Sequence, residues 1–410
     1  MSSGDTNSKS QTTNLTDHRD IGQALDLFSF HSVAPGTVFW HGNGMIIWRE
    51  LEKYLREKLD TLGYQEVSTP IMVKKELFEK SGHWQHYREN MFTLDVDDEI
   101  YVLKPMNCPE STLIYSSRVR SYRDLPIRMS EITDKIHRKE LSGTLGGLLR
   151  VRQMTQDDAH HYVRPDQIGE EVSNLLDLIK EFYSHFNMSL SFNLATKPDN
   201  SMGDPNIWSE AEKDLESVLK KAKVKYQIKE KDGAFYGPKV DINATDSQNR
   251  EWTIATIQLD FQLPERFELE YVAEDGSKKR PVIIHRAIAG SFERFIGVLL
   301  EHTEGKLPTW LSPTQAIIMP ISEKQTDYAK KVFNNFKKED IRVQFNNSSE
   351  TISKRIREAE LQKIPYILVV GEKEEDNSNI SVRQRSVGDI GAMQTEEILK
   401  KIKKEITDRI

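Results

Sequence analysis

The sequence predicts an α+β protein: an antiparallel sheet flanked by helices over residues 17–307, then a small α/β unit over residues 308–410. Three observations predict it. Short β-rich runs follow one another through the first part of the chain, joined mainly by hairpin-length loops, with few long helical patterns between them. PTWLSP, from Pro308 to Pro313, then punctuates the chain. Beyond it strands and helices alternate, which implies a partly parallel sheet.

The first strong period is helical. In GMIIWRELEKYLREKLDTLGY, Ile47, Leu51, Leu55 and Leu59 recur at i, i+4, Leu62 closes the stripe, and Gly63 sits where a C-cap belongs. YQEVSTPIM follows, a β-rich run holding Pro70. Proline cannot donate to a ladder, so this reads as an edge or partner-facing strand. Strands are then predicted at 99–103, 127–133, 161–163, 190–195, 240–244, 252–260 and 267–272. Helices are predicted at 166–186, 208–221 and 290–304, the last ending at Gly305. After Pro313, QAIIMPI, IRVQF, PYILVV and ISVRQR read as strands, and 323–338, 349–362 and 395–406 as helices.

Composition narrows the class. The chain has 410 residues, 30% charged and 37% hydrophobic, an ordinary globular balance. No run approaches the ~18 apolar residues of a transmembrane helix, so no membrane partner is expected. One cysteine excludes an intramolecular disulfide and fits a reducing, cytoplasmic setting. Residues 1–16 are Ser/Thr/Asn-rich without an apolar core and read as a disordered polar tail, not a leader. A net charge of −7 is not that of a general polyanion binder. The charge is uneven: residues 309–410 carry 18 basic against 16 acidic side chains, and the rest 39 against 48. The C-terminal quarter is the better place for a nucleic-acid contact.

Three stretches carry chemistry. RMSEITDKIHRKELSGTLGGLLRVRQMTQDDAHHYV reads as a strand, a Gly-rich turn and a returning strand, with Arg138 and Glu140 at i, i+2. An Arg aimed at a phosphate and a carboxylate aimed at an amino group would suit a nucleotide. A solvated hairpin with cross-strand ion pairs accounts for the same residues equally well. In PVIIHRAIAGSFERFIGVLLE a strand enters a helix through AGS, where small residues let a polyanion approach backbone amides. A helix with Arg294 paired to Glu293 or Glu301 explains that pattern at least as well. Cys108, His160 and His285 are dispersed at spacings that match no zinc-finger template, so arithmetic alone proposes no metal. A lone cysteine is commonly a small buried hydrophobe.

Taken together, these stretches resemble the threonyl branch of the class II aminoacyl-tRNA synthetases, from DHRDIGQALDLF at Asp17 to the C-terminus. The helix with the Pro70 run resembles class II motif 1, the Arg138/Glu140 hairpin motif 2, and IHRAIAGSFERF motif 3. KPMNCPE, RVRxxTQDDAH with its two variable positions, GAFYGPK, TIQLDF and PTWLSPTQ resemble the threonyl branch in particular. The resemblance implies a threonine–tRNA ligase. It would join L-threonine to ATP as an adenylate, release pyrophosphate, and pass threonine to the 3′-terminal ribose of threonine tRNA. Other readings are a catalytically silent paralogue that binds RNA, and an enzyme of the same fold charging serine or proline.

The resemblance also implies roles. Cys108, His160 and His285 match zinc ligands, one zinc per chain, with an open position for threonine. Asp158 matches the carboxylate receiving the threonine hydroxyl, and Gln156, Tyr236 and Gln258 line that pocket. Arg138 matches the arginine on the α-phosphate and carboxylate, and Glu140 the reader of the adenine amino group. Arg150 and Arg294 match arginines on the phosphates of Mg²⁺-bound ATP, with Thr256 and Ser291 nearby. His83, in SGHW, matches a His of the transfer step. Glu374, Arg383 and Arg357 match residues at the tRNA anticodon. The resemblance further implies a homodimer built on the motif 1 helix and the Pro70 strand.

Four positions depart from the family pattern. Met154 stands where a Phe usually stacks on adenine, Glu110 and Ser111 replace Gly and His, and Thr253 replaces a glutamine. Only a polar tail precedes Asp17, so the expectation is a short form without the family's N-terminal editing domain. Such a chain would mischarge serine, which implies a separate editing protein or some tolerance of error.

Overall fold

The computed structural model describes residues 16–132 and 135–410. The predicted tail, apart from Thr16, and Thr133 at the end of the 127–133 strand lie outside the described residues.

Among the described residues, the main sheet has nine strands. In spatial order they are Tyr226–Lys229, Ser189–Ala195, Lys239–Thr245, Glu251–Asp260, Val282–Ser291, Gln153–Val163, Ile127–Glu131 and Gln65–Glu66, with Lys135–His137 also paired to Gln153–Val163. The interior ladders are antiparallel and the outermost pair at each edge is parallel. Helices Gly42–Thr61, Ile168–Ser184, Pro205–Lys221 and Phe292–Thr303 pack one apolar core against this sheet. Ile47, Leu51, Leu55 and Leu59 are at most 2% exposed, as their i, i+4 spacing requires. Burying each such side chain contributes about 1.5–3 kcal/mol.

Several expectations need correction. Leu62 does not close the helical stripe; it is the C-cap residue and is 42% exposed. YQEVSTPIM is not one strand. Gln65–Glu66 takes the edge of the main sheet, Met72–Lys74 joins a separate three-stranded sheet, and Pro70 lies between them, where its missing N–H costs no ladder bond. The predicted 267–272 strand is reduced to Tyr271–Val272, because the Asp260 carboxylate accepts the Gln262 and Leu263 N–H groups and starts the helix Gln262–Arg266. The strand read as 161–163 begins at Gln153. The last helix of this unit starts at Phe292, two residues later than read. The strand before it runs on through Ser291, whose hydroxyl caps the Arg294 N–H.

The C-terminal sheet orders Val343–Phe345, Ala316–Pro320, Tyr366–Val370, Asn379–Gln384 and Gly388–Gln394. The first three are mutually parallel and the last two antiparallel, over a core that includes Ile318, Phe336, Leu368 and Ile402. The strand Gly388–Gln394 and the short helix Glu372–Asp376 were not predicted. Within PTWLSP, Trp310 and Leu311 bury into the first core. Ion pairs Arg342–Glu50 and Arg409–Glu57, both at 2.5 Å, join the C-terminal unit to the Gly42–Thr61 helix.

Candidate active site

The site face follows from the strand period. Gln156, Asp158 and His160 alternate along one strand, and Thr256, Gln258 and Asp260 along another, so each set shares a face. Register then brings the sets together: Gln258 lies opposite His285, His285 opposite His160, Ala287 opposite Asp158, and Ser291 opposite Gln156.

Two cavities open on this face, both lined by Arg138, Gln156, Thr256, Gln258 and Ala287. The first, about 220 Å³, adds Glu140, Arg150, Met154, Ser291 and Arg294. Arg150 pairs with Glu140 at 2.9 Å, the cross-strand ion pair that the hairpin pattern allows. Arg294 pairs with neither Glu293 nor Glu301. Its Nε donates to the Leu149 carbonyl at 3.1 Å, while Glu293 pairs with Lys135 and Glu301 with His18 and Arg250. Burial, and then the charges of Arg138 and Arg150, push the Arg294 guanidinium below its ordinary pKa. Three cations face this cavity, and its two carboxylates, Glu140 and Asp241, are already paired with Arg150 and Lys239, so the arrangement makes a place for a polyanion. Gly290, at φ +64°, lets the backbone pass close to Ile254, where a Cβ would come within 2.7 Å of the Ile254 carbonyl.

The second cavity, about 330 Å³, is lined by Cys108, Asp158, Tyr236 and His285 among others. His160 stands against it, its ring 4.9 Å from that of His285. Ligand atoms of Cys108, His160 and His285 all lie within 4.8 Å of one another. Among the described residues, His160 Nε2 and His285 Nδ1 are buried with no hydrogen-bond partner, and Cys108 is a buried free thiol. Burial raises the Cys108 thiol pKa and depresses that of His160, so the imidazole is neutral and its lone pair free. Soft and borderline donors left unpaired in this number fit a zinc ion.

Two further contacts were missed by sequence reasoning. Asp260 Oδ2 sits 2.9 Å from His285 Nε2, leaving Nδ1 as the free nitrogen. Asn107 Nδ2 donates to Asp158 Oδ2 at 3.0 Å. Both lie inside the quoted runs TIQLDF and KPMNCPE, so the signal was present. Asp241, which lines the first cavity and pairs with Lys239 at 2.6 Å, sits in a run that reads only as a strand. Tyr236 donates its hydroxyl to Gln258. Burial pushes Asp158 up to about 6 and Glu110 up to about 8. Ser111 bonds the Cys108 carbonyl and the Tyr162 hydroxyl.

His83 lines neither cavity. It is buried beside Phe235 and Tyr236, with Nδ1 on Ser81 Oγ at 2.8 Å and Nε2 unpartnered. Burial lowers its pKa to about 4, so it is neutral near pH 7. None of the three C-terminal residues lines either cavity. Arg383 lines a third cavity with Lys306, Glu360 and Arg385. Glu374 accepts the Gly371 N–H, and Arg357 is exposed.

Residues 92–303 match the family model "tRNA synthetase class II core domain (G, H, P, S and T)", and residues 315–405 match "Anticodon binding domain". The chain is 49% identical over 393 residues to a threonine–tRNA ligase of Caldanaerobacter subterraneus subsp. tengcongensis, covering 96% of this chain and 61% of the relative. It is likewise 49% identical to that of Natranaerobius thermophilus, covering 96% and 62%. The chain thus spans about three fifths of the length of the curated relatives it matches. Among solved structures, the RNA binding domain of threonyl-tRNA synthetase from Cryptosporidium parvum Iowa II superposes with a TM-score of 0.91 at 41% identity, covering 95% of this chain and 98% of that one. A putative threonyl-tRNA synthetase from Aeropyrum pernix superposes at 0.84 with 28% identity, covering 96% and 97%.

Proposed function

This chain belongs to the threonyl-tRNA synthetase family of class II synthetases, and from that premise we propose that it is itself a threonine–tRNA ligase, activating L-threonine with ATP and transferring it to threonine tRNA. The observation that carries the reading is the junction of two cavities. One gathers Arg138, Arg150 and Arg294; the other gathers Cys108, Asp158, Tyr236 and His285; Arg138 borders both. A triphosphate and an amino acid bound there would meet at Arg138.

Adenylation is an in-line displacement at the α-phosphorus. The threonine carboxylate attacks, pyrophosphate leaves, and no proton need move. Positioning and charge neutralisation are what this step asks of the protein, and Arg138, Arg294 and Arg150, together with the Mg²⁺ that accompanies ATP, suit both. Glu140, held by Arg150, is placed to accept from an adenine amino group, and Met154 covers one face of the same cavity. Cys108, His160 and His285 would hold one zinc. When bound, it supplies a Lewis-acidic position for the amino group and hydroxyl of threonine. Asp158, oriented by Asn107, is the acceptor for that hydroxyl, with Gln156, Tyr236 and Gln258 around the amino acid and Thr256 and Ser291 toward the nucleotide. Transfer to the ribose does require a proton acceptor. A neutral His83 with one free ring nitrogen suits that task. The direct test is threonine-dependent exchange of pyrophosphate into ATP, followed by charging of threonine tRNA. Absence of exchange in zinc-replete protein would overturn the reading.

The proposal divides the chain into a catalytic unit, 17–307, and an anticodon-reading unit, 308–410. The surface around Arg383 supports tRNA recognition. Its guanidinium is only loosely held, with Glu360 at 3.8 Å and Asp389 at 4.0 Å, and its Nε is unpartnered. Base edges can be read by such an Arg and by the Glu374 carboxylate, with Arg357 a lesser contact, where an acidic GEKEED run would repel phosphate. Arg383→Ala is expected to raise the tRNA KM about 10-fold and leave ATP–pyrophosphate exchange intact. Equal loss in both assays would make the residue structural.

The proposal includes a homodimer. The apolar stripe of the Gly42–Thr61 helix is consumed inside the subunit, so the surface left for a partner is the Gln65–Glu66 edge. Exposed Phe39, Ile71 and Met72, each about two-fifths exposed, add apolar area. Sedimentation is expected to give a two-fold dimer. A stable and fully active monomer would contradict it. Among the described residues no helix is long and apolar enough to cross a membrane.

A further inference from the structure

His18, Asp17 and Glu301 form a second cluster of metal-type side chains, away from the zinc-type set. Its atoms are already committed, the Asp17 carboxylate to the Arg19 guanidinium. The Leu148 N–H donates to His18 Nε2 at 3.0 Å, and a backbone amide can only donate, so Nε2 is the acceptor and the proton rests on Nδ1. Nδ1 then donates to Glu301 Oε1 at 2.6 Å, and the His18 main-chain N–H donates to the same oxygen at 3.1 Å. The other Glu301 oxygen is held by Arg250, itself fixed by Asp246. His18 is 2% exposed, so this is a saturated relay and not a vacant ligand set.

The relay ends at the nucleotide cavity. Leu148 sits in the tight turn closed by Leu149 N–H on the Gly146 carbonyl, and the Leu149 carbonyl is the acceptor for Arg294 Nε. Two glycines make the joint possible. A Cβ on Gly147, at φ +57°, would meet His18 Nε2 at 2.2 Å, and one on Gly297 would meet Leu148 Cβ at 3.0 Å. The N-terminal helix His18–Ala24, the hairpin loop and the helix Phe292–Thr303 are therefore pinned together at one imidazole.

We propose that His18 is a positioning residue for the nucleotide: by holding the Leu148–Leu149 turn it aims Arg294 into the ATP cavity. It touches neither substrate and moves no proton. The inference rests on the proposed activity in taking ATP as the ligand, and its test reads binding directly. Two replacements divide the imidazole between them. Asn can supply a donor where Nδ1 was and keep Glu301, but cannot reach Leu148. Gln can place an oxygen where Nε2 was and keep Leu148, while the main-chain bond to Glu301 survives.

Titration calorimetry with Mg²⁺–ATP is expected to show about 10-fold weaker binding for His18→Asn, whose buried Leu148 N–H is left unpaired, and a change within about 3-fold for His18→Gln. Threonine binding should be unchanged in both. Equal weakening in the two variants, or lowered thermal stability of His18→Asn with ATP affinity unaltered, would overturn the inference. Should His18→Asn not fold, Gly147→Ala presses on the same nitrogen from the loop side and carries the same expectation. Pyrophosphate exchange by the unmodified chain is run alongside. Its absence counts against the ligase reading, whereas the Asn–Gln comparison decides the role of His18.

Discussion

Cys108→Ala is expected to leave the purified chain without stoichiometric zinc and to lower threonine-dependent pyrophosphate exchange by about 10²–10³-fold, the scale of losing one preorganised electrostatic contact. The expectation comes from the donors, not from their spacing. A buried thiol, His160 Nε2 and His285 Nδ1 converge with nothing else to bond. Removing the sulfur leaves two imidazoles, a poor zinc site. A milder replacement probes the support. Asp260 fixes the His285 ring by taking Nε2, so Asp260→Asn should weaken zinc binding by about 10–100-fold while the strand pairing around it persists. Elemental analysis and a chelator competition read both. Cys108→Ala with full zinc and full activity would refute the assignment, and unchanged zinc affinity in Asp260→Asn would confine Asp260 to capping the helix that follows it.

The same residues show what a sequence can and cannot display. The α+β class and the strand–helix alternation after Pro313 were legible, because burial imposes a period on apolar residues. The Gly42–Thr61 helix was legible for that reason at Ile47, Leu51, Leu55 and Leu59. The first half of Gln153–Val163 was not, because its alternation is of Gln156, Asp158 and His160: the face that would betray a strand by its apolar residues is the site. Gly388–Gln394 escaped because two glycines and an Asp read as a turn, and it holds its place by pairing with Asn379–Gln384. The site residues themselves came through resemblance; spacing alone left Cys108, His160 and His285 unconnected. What neither route reached are contacts set by tertiary approach. His18 meets Leu148 across 130 residues and Glu301 across 283, and Asp260 meets His285 across 25. Such bonds have no local pattern, since each partner satisfies its own element and the pairing is decided by how the elements stack.

Amino-acid choice should show the largest effect of all. In pyrophosphate exchange, valine is expected to be rejected by about 10⁴–10⁵-fold relative to threonine, and serine by only about 10–200-fold. Valine matches threonine in size, so sterics cannot exclude it. What excludes it is an unanswered polar site. Asp158 is buried, with the Asn107 amide on one oxygen, and the threonine hydroxyl is the group that would engage what remains. Valine brings a methyl group there, and the desolvated carboxylate and the zinc-type position both lose a partner. Serine brings the hydroxyl and the amino group and lacks one methyl, whose loss leaves a small void and no unpaired polar atom. Asp158→Asn separates these effects. In Asp158→Asn the Asn107 amide claims the one remaining oxygen and an NH2 group faces the threonine hydroxyl in place of the acceptor, so kcat/KM for threonine should fall toward that of valine, while the threonine-to-serine ratio, which rests on a methyl contact, stays near its original value. Strong valine activation by the unmodified chain, or a threonine-to-valine ratio untouched by Asp158→Asn, would show that selectivity is set somewhere other than at this carboxylate.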